Sequence, residues 1–156
     1  ILLSFSASNC VRRSPSLVTN RRTCVLYEHR LRIRYAECDM QQVVFNAHYL
    51  AYCDDAVDCW MRQTLGGSLH DVGFDCMVKR AEVTWITGAT FGHDMVVRLG
   101  VTKFGVTSFE VLAEGFIDGD EKSFEANLLY VSTVPGVAKA TPMPASVREK
   151  FAAYSR

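Results

Sequence analysis

Two hydrophobic periodicities divide the chain. Between residues 25 and 35, polar and apolar side chains alternate imperfectly, which predicts a β-strand with one face in water. From about residue 46 to residue 65 the apolar spacing changes to three and four residues, which predicts one long helix. The apolar stripe of this helix consists of Tyr49, Cys53, Ala56, Val57, Trp60 and Met61. A helix of about 30 Å is as long as a small domain is wide, so a sheet must wrap around it.

The ends and the polar face of this helix carry their own signals. Asn46 is a suitable N-cap, and Gly66 with Gly67 ends the helix. Three acids fall largely outside the apolar stripe and predict a solvated face, namely Asp54, Asp55 and Asp58. Asp58 is also spaced to form an i,i+4 ion pair with Arg62.

Four further strands follow the long helix. Their expected ranges are 74–87, 94–102, 106–117 and 122–133, separated by a corner at 88–92, a connection at 103–105 and a hairpin turn at 118–120. After a turn at 135–136, a short terminal helix runs to about Tyr154, with Ser146 as its predicted N-cap. This order predicts an α+β fold, in which a five-stranded antiparallel sheet wraps around one long helix and its last four strands form a meander.

Composition and charge narrow the class of protein. The 156 residues fit one domain with a sizeable core, and 17 basic residues balance 17 acidic ones, which argues against nucleic acid as a partner. The balance is uneven, because residues 1–24 contain four arginines and no acid. We interpret 1–24 as an N-terminal extension, either a transit-peptide remnant or an arm of no consequence, and 25–156 as the folded domain.

The six cysteines are scattered without a C-x-x-C pair, so we expect reduced thiols in a reducing compartment. This indicates a cytoplasmic protein, or an organelle-matrix protein if the extension is a transit peptide. With four widely spaced histidines no zinc site is expected, and no apolar run is long enough for a membrane span.

Asp39 lies between the end of the first strand and the start of the long helix. Free backbone N–H groups at a helix start can stabilise an oxyanion while a nearby carboxylate attacks or deprotonates. A loop aspartate more often serves as an Asx-turn or a helix cap. The residues alone leave both interpretations open.

The motif around Asp39 resembles a known family. The segments 34–39 (RYAECD) and 43–52 (VVFNAHYLAY), followed by 78–85 and 91–94, are similar to the 4-hydroxybenzoyl-CoA thioesterase-like branch of the hotdog-fold acyl-CoA thioesterases, over roughly residues 28–151. The resemblance implies a hotdog fold, a homodimer or homotetramer in which two sheets join edge to edge, and an active site at the dimer interface. It also implies acyl-CoA hydrolysis without a metal or redox cofactor.

The resemblance assigns roles residue by residue. Asp39 matches the catalytic acid, as nucleophile or general base, and Tyr35 matches a tyrosine found four residues before it in some members. The amides near Phe45 and Asn46 match the oxyanion hole. Two positions depart from the family. Gln42, with the preceding glutamine, stands where glycine is common, and Asn46 stands where some members have a histidine, so it can orient groups but not shuttle protons.

Other residues are candidates for substrate contacts or for structural roles. The predicted substrate-binding residues are Gln42, His48, Tyr49 and Arg80, with Arg80 the preferred phosphate contact among Lys79, Arg80, Arg98 and Lys103. His48 also fits a surface or interface position, and Asp54 a second catalytic acid. Trp60 and Trp85 are expected in the core or in the acyl pocket wall.

Two alternative functions remain at this stage. A hydratase or dehydratase of the same fold pairs an acid with a histidine, and the nearest such pairing here is Asp39 with His48. A non-enzymatic acyl-CoA sensor would bind the thioester and leave it intact.

Overall fold

The computed structural model describes residues 26–156, so the predicted extension at 1–24 lies outside the described part of the chain. The strands are β1 (Tyr27–Arg32), β2 (Asp75–Trp85), β3 (Asp94–Phe104), β4 (Ser108–Ile117), β5 (Glu121–Val134) and β6 (Val137–Ala140). The helices are α1 (Asn46–Leu65) and α2 (Ala145–Ala152), and two 3₁₀ turns occupy Tyr35–Glu37 and His70–Val72. Within these residues no helix is both long enough and apolar enough to cross a bilayer.

The strands form one antiparallel sheet around α1. Its order is β1-β3-β4-β5-β2, with β6 beside β5. The predicted α+β hotdog class is confirmed, although the sheet has six strands rather than five. The sixth was missed because its four residues are all exposed and carry no hydrophobic alternation.

The predicted meander is correct for β3, β4 and β5 but wrong for β2. Instead of pairing with β3, β2 lies at the far edge and pairs with β5 from Asp75↔Thr133 to Trp85↔Phe124. Strand β1 takes the place beside β3. The corner at 88–92 therefore carries the chain from β2 at one edge of the sheet to β3, which lies beside the opposite edge strand β1. No local pattern encodes this long-range connection.

The apolar stripe of α1 fills the concave face of the sheet, as predicted. All six predicted stripe residues are at most 3% exposed. Trp60 lies in this core, with its ring 4.5 Å from that of Phe151 on α2, so α2 closes the end of the core. Burial of large apolar side chains contributes about 1.5–3 kcal/mol each, so this stripe contributes substantially to the stability of the fold.

The turn predictions have mixed outcomes. Gly66 ends α1 in the left-handed region at φ 82°, and consecutive positive φ angles at Asp118 and Gly119 confirm the predicted hairpin turn. Both N-cap predictions are wrong, because the caps are Phe45 and Pro144, and neither makes a side-chain capping bond. Asn46 and Ser146 are already inside their helices. The predicted ion pair is confirmed, since Arg62 Nε donates to Asp58 Oδ2 at 2.7 Å.

Candidate active site

A tight hairpin between η1 (Tyr35–Glu37) and α1 presents Asp39. The Phe45 amide donates to the Glu37 carbonyl at 2.9 Å, Cys38 bridges Val44, and the Asp39 amide donates to the Val43 carbonyl at 2.9 Å. This pairing places Asp39 opposite Val43, three residues before α1 begins. The expected folding of the acid against the helix start is therefore present.

The carboxylate of Asp39 also shapes the tip of this hairpin. The Gln41 amide donates to Asp39 Oδ1 at 2.8 Å, and the Gln42 amide donates to the Asp39 carbonyl at 2.9 Å. The first bond is the Asx-turn that the sequence left open. Because it uses one carboxylate oxygen, the turn and a chemical role for the other oxygen are compatible.

Gln42 occupies a backbone conformation that favours glycine. Its φ is +65°, in the left-handed region that costs a non-glycine residue about 1 kcal/mol or more. The turn needs this conformation to return the chain to Val43. This gives a physical meaning to the predicted departure from the family, which often has glycine in this loop.

We expect Gln42→Gly to raise the free energy of unfolding by about 0.5–1 kcal/mol, because relief of strain exceeds the added entropy of the unfolded glycine. Urea unfolding measures the change. Gln41→Gly is the matched control, since Gln41 does not have a positive φ, and it should be neutral or destabilising. Equal effects of both variants would contradict strain at Gln42.

Glu37 fastens the hairpin to α1. Glu37 is 5% exposed. Oε1 accepts from the Arg34 guanidinium at 2.8 and 2.6 Å, and Oε2 accepts from the Arg34 amide at 2.7 Å and from the Tyr52 hydroxyl at 2.9 Å. Tyr52 lies on α1 and is buried. Both oxygens of Glu37 are thus fully used, so it is a positioning residue for the loop that carries Asp39.

These bonds determine the ionisation of Glu37. Burial alone would raise its pKa, but the hydrogen bonds from the Arg34 amide, the Arg34 guanidinium and Tyr52 outweigh burial and hold the pKa below the ordinary 4.5. Burial and the Glu37 carboxylate in turn raise the pKa of Tyr52 far above its ordinary value. Tyr52 therefore stays protonated and donates.

We expect Glu37→Gln to lower the free energy of unfolding at neutral pH by about 1–3 kcal/mol, because charge-assisted bonds to a buried carboxylate are lost. The folded pKa of Glu37 is depressed, so its stabilisation is present above the unfolded pKa of about 4.5 and is lost as pH falls through the folded pKa. The difference between the two proteins should thus shrink below about pH 5. Chemical unfolding across this range measures it, and a difference independent of pH would contradict the assignment.

The start of α1 supplies backbone donors, with one correction to the predicted pair. The Phe45 amide donates to the Glu37 carbonyl and is not available to a ligand. The His48 amide donates to the Phe45 carbonyl at 2.9 Å. Among residues 26–156, the amides of Asn46 and Ala47 have no protein acceptor. The donors available for an oxyanion are therefore Asn46 and Ala47 rather than Phe45 and Asn46.

Two cavities flank the hairpin, and Asp39 lines both. The inner cavity, of about 410 Å³, is lined by Asp39, Gln41, Val43, Val44, Phe45, Asn46, Tyr49, Trp85 and Gly88. The outer cavity, of about 690 Å³, is lined by Tyr35, Ala36, Cys38, Asp39, Gln42, Thr90 and Phe91. The carboxylate and the helix start thus meet at the inner cavity, while the tip of the hairpin separates it from the outer one.

The inner cavity has an ordered aromatic wall. Tyr49 is 2% exposed and its hydroxyl accepts from the Ala89 amide at 3.2 Å. Its ring lies edge-on to Trp85 at 6.5 Å, and Trp85 is 51% exposed. The two tryptophans therefore separate, with Trp60 in the core and Trp85 in the pocket wall.

The remaining predicted site residues are distributed around this centre. Tyr35 lines the outer cavity, is 80% exposed and lies edge-on to Phe91 at 6.0 Å. His48 packs against Phe45 at 6.2 Å and lines neither cavity, so an Asp39–His48 pairing is not supported. Arg80 is near Glu82 at 3.9 Å and also lines neither cavity.

Asp54, the predicted alternative acid, is also absent from both cavity linings. Asp54 is an exposed residue. Partial desolvation of its carboxyl group nevertheless raises the pKa of Asp54. Of its two neighbours on the acidic face, Asp55 contacts His29 and Asp58 contacts Arg62.

Three residues contribute to the site without having been assigned a role from the sequence. Glu37 positions the hairpin, Gln41 holds Asp39 Oδ1, and Gly88 lines the inner cavity. A Cβ at Gly88 would lie 3.1 Å from Val43 Cγ1, so glycine permits close packing of the corner on the hairpin. Glu37 belongs to the 34–39 motif, and this was the sequence signal that could have found it.

Comparisons with known proteins agree with the fold. A sequence model of the thioesterase-like superfamily matches residues 33–151. No curated protein matches by sequence. Among solved structures, a 1,4-dihydroxy-2-naphthoyl-CoA thioesterase from Synechocystis is similar at 19% identity, with a TM-score of 0.71 over 83% of this chain and 96% of that one.

Two further solved structures are similar. A gentisyl-coenzyme A thioesterase has 16% identity and a TM-score of 0.71, covering 80% of this chain and 98% of its own. A protein from Staphylococcus aureus in complex with CoA has 12% identity and a TM-score of 0.76, covering 87% of each chain. At these identities the likeness establishes the fold, and the sequence model supplies the family. The chain belongs to the thioesterase-like superfamily.

Proposed function

We propose that this protein is an acyl-CoA thioesterase in which Asp39 attacks the thioester or activates the water that does. The observation that carries the proposal is that Asp39 lines both cavities, with free helix-start amides beside the inner one. A thioester spanning the two cavities would place its carbonyl carbon at the boundary between them.

The chemistry follows from the available donors and acceptors. The thioester oxygen accepts from the amides of Asn46 and Ala47, which carry the positive end of the α1 dipole. Asp39 Oδ1 is held by Gln41, whereas Oδ2 accepts no hydrogen bond from residues 26–156. As a nucleophile, Oδ2 forms a mixed anhydride and expels the CoA thiolate, and water then hydrolyses the anhydride. As a general base, it deprotonates the attacking water.

The linings suggest which part of the substrate each cavity takes. The inner cavity has apolar and aromatic walls from Val43, Val44, Tyr49 and Trp85, and its volume of about 410 Å³ suits a small or aromatic acyl group. The outer, wider cavity with Tyr35 and Phe91 then takes the pantetheine arm. Two of the structural relatives act on aromatic acyl-CoA esters, which supports aroyl-CoA as the first class to test. Arg80 remains a predicted phosphate contact.

Thiol release from short, medium, long and aromatic acyl-CoAs tests the proposal. We expect turnover with kcat/KM of about 10⁴ M⁻¹s⁻¹ or more for the best substrate, and a preference for aromatic over long acyl chains. Binding without thiol release across the whole panel would mean that the protein is an acyl-CoA-binding module and not a thioesterase. Hydration of an enoyl-CoA without thiol release would favour the hydratase alternative.

We further propose that two copies of the chain join along β2. In the described sheet β2 pairs only with β5, so its other edge is open. This edge region exposes Met77, Val78, Trp85 and Ile86 among charged residues, and an open edge strand of 11 residues favours pairing with another strand. Because Trp85 also lines the inner cavity, a partner there would lie beside the active site. Sedimentation velocity at assay concentration distinguishes monomer, dimer and tetramer.

A further inference from the structure

A second cluster of reactive side chains lies where β1 meets α1. His29 is on β1, and its Nε2 lies 2.9 Å from Asp55 Oδ2 on α1. Cys59 follows Asp55 by one helical turn, so both face the same way. The imidazole nitrogen, the carboxylate oxygen and the thiol sulfur all lie within 4.8 Å of one another. None of the three residues lines either cavity of the proposed active site.

The position of His29 is unusual for the face that it occupies. On β1, Tyr27 and Leu31 point to the same side as His29 and pack with the core. His29 replaces an apolar residue in this row, and its side chain is only 13% exposed. Asp55 is 47% exposed and Cys59 is half-buried. The cluster therefore has a solvent route on one side and a fixed histidine on the other.

We propose that His29, Asp55 and Cys59 form a zinc-binding site that fastens β1 to α1. Imidazole, carboxylate and thiolate are the three ligand types that zinc accepts, and three protein ligands leave the fourth tetrahedral position to water. Ligand atoms on a tetrahedral zinc lie about 3.3–3.7 Å apart, from the usual bond lengths. Side-chain rotations that move the ligand atoms of Asp55 and Cys59 by about 1 Å bring the cluster to that spacing, and the 2.9 Å contact between His29 and Asp55 lengthens.

The proposed site has a structural consequence. Within the described sheet β1 is an edge strand that pairs only with β3. A metal bridge would give it a second attachment, and the chain leaves β1 only a few residues before the hairpin that carries Asp39. The spacing of histidines along the sequence predicted no metal site, because the three ligands converge only through the packing of β1 on α1.

Cobalt titration of the full chain, freed of metal and kept reduced, tests the site without reference to enzyme activity. We expect one equivalent of Co²⁺ to bind with a thiolate-to-cobalt charge-transfer band and the intense visible absorption of four-coordinate cobalt. Zinc should displace it. Zinc at 100 times its Kd should raise the thermal midpoint by about 5–10 °C.

Variants assign the ligands. Cys59→Ser should abolish the charge-transfer band. His29→Gln and Asp55→Asn should weaken binding by about 10–100-fold or more, since loss of an outer-shell partner alone costs that much. The matched controls are Cys38→Ser, which changes a half-buried thiol outside the cluster, and Asp58→Asn, which changes a helix acid outside it. Both should bind cobalt with normal affinity. The thermal midpoint of each metal-free variant verifies folding.

Three results would overturn the site. They are no cobalt uptake by the wild-type protein, a charge-transfer band that persists in Cys59→Ser, and an unchanged cobalt affinity in His29→Gln. In each case the cluster is a histidine–carboxylate pair with a neighbouring thiol. Thioesterase activity plays no part in these readouts, so failure of this site leaves the proposed function untouched.

Discussion

Asp39→Asn is expected to lower kcat for thioester hydrolysis by about 10³-fold or more, because the amide is neither a nucleophile nor a base. The fold should persist. Asparagine keeps the side-chain oxygen that accepts from the Gln41 amide, and asparagine is equally suited to an Asx-turn. The free energy of unfolding should therefore change by less than about 0.5 kcal/mol.

Thiol release at saturating substrate measures the loss, and urea unfolding measures the stability of the same preparation. Asp58→Asn is the matched control, since this acid is paired with Arg62 on the outer face of α1 and should leave kcat unchanged. If the kcat of Asp39→Asn lies within about tenfold of the kcat of the unmodified protein, Asp39 does not take part in the chemical step.

Hydrolysis in ¹⁸O-labelled water separates the two mechanisms left open for Asp39. When Asp39 is the nucleophile and water attacks the aspartyl carbonyl of the anhydride, one Asp39 oxygen passes to the acid product, so the first turnover releases unlabelled acid and leaves the label in Asp39. Label in Asp39 therefore identifies the nucleophile, whereas attack of water on the acyl carbonyl labels the product in either mechanism. A general base directs water to the thioester, so the first product already carries ¹⁸O. Single-turnover mass spectrometry of the product and of the peptide containing Asp39 reads out both.

Asn46→Pro is expected to lower kcat by about 10²–10³-fold through loss of a single backbone N–H. Asn46 is the first residue of α1, where proline is well accommodated. The preceding Phe45 has φ −60° and ψ 135°, the conformation that a residue before proline prefers. The variant should thus keep the helix and lose only the side chain and the amide.

Asn46→Ala is the control that isolates the backbone donor, because it removes the side chain and retains the N–H. We expect Asn46→Ala to keep most of the activity and Asn46→Pro to lose it, with little change in KM, since the oxyanion forms only in the transition state. Circular dichroism and thermal unfolding verify the helix in both. If the two variants have equal kcat, the Asn46 amide is not an oxyanion donor and Ala47 is left to supply the bond.

The predictions from sequence succeeded where a short stretch carries the physical cause. The α1 range was correct because its stripe recurs with the helical period and Gly66 supplies the left-handed end. The ion pair of Asp58 with Arg62 was correct because i,i+4 geometry is fixed by the helix itself. The predicted N-cap at Asn46 was wrong because the Phe45 amide bonds to the Glu37 carbonyl in the hairpin. Phe45 therefore takes the cap position, one residue before Asn46.

The long helix, most of the strands and the acid placed just ahead of the helix follow from local sequence, because periodicity and turn chemistry act over a few residues. Only the packing of the whole chain makes β2 pair with β5 and lets Glu37 hold the hairpin against α1. It also decided that Asn46 and Ala47 supply the open amides, and that His29 meets Asp55 and Cys59. Those contacts join residues far apart in the chain, and their free energy depends on the packing of the sheet around α1, which no local pattern contains.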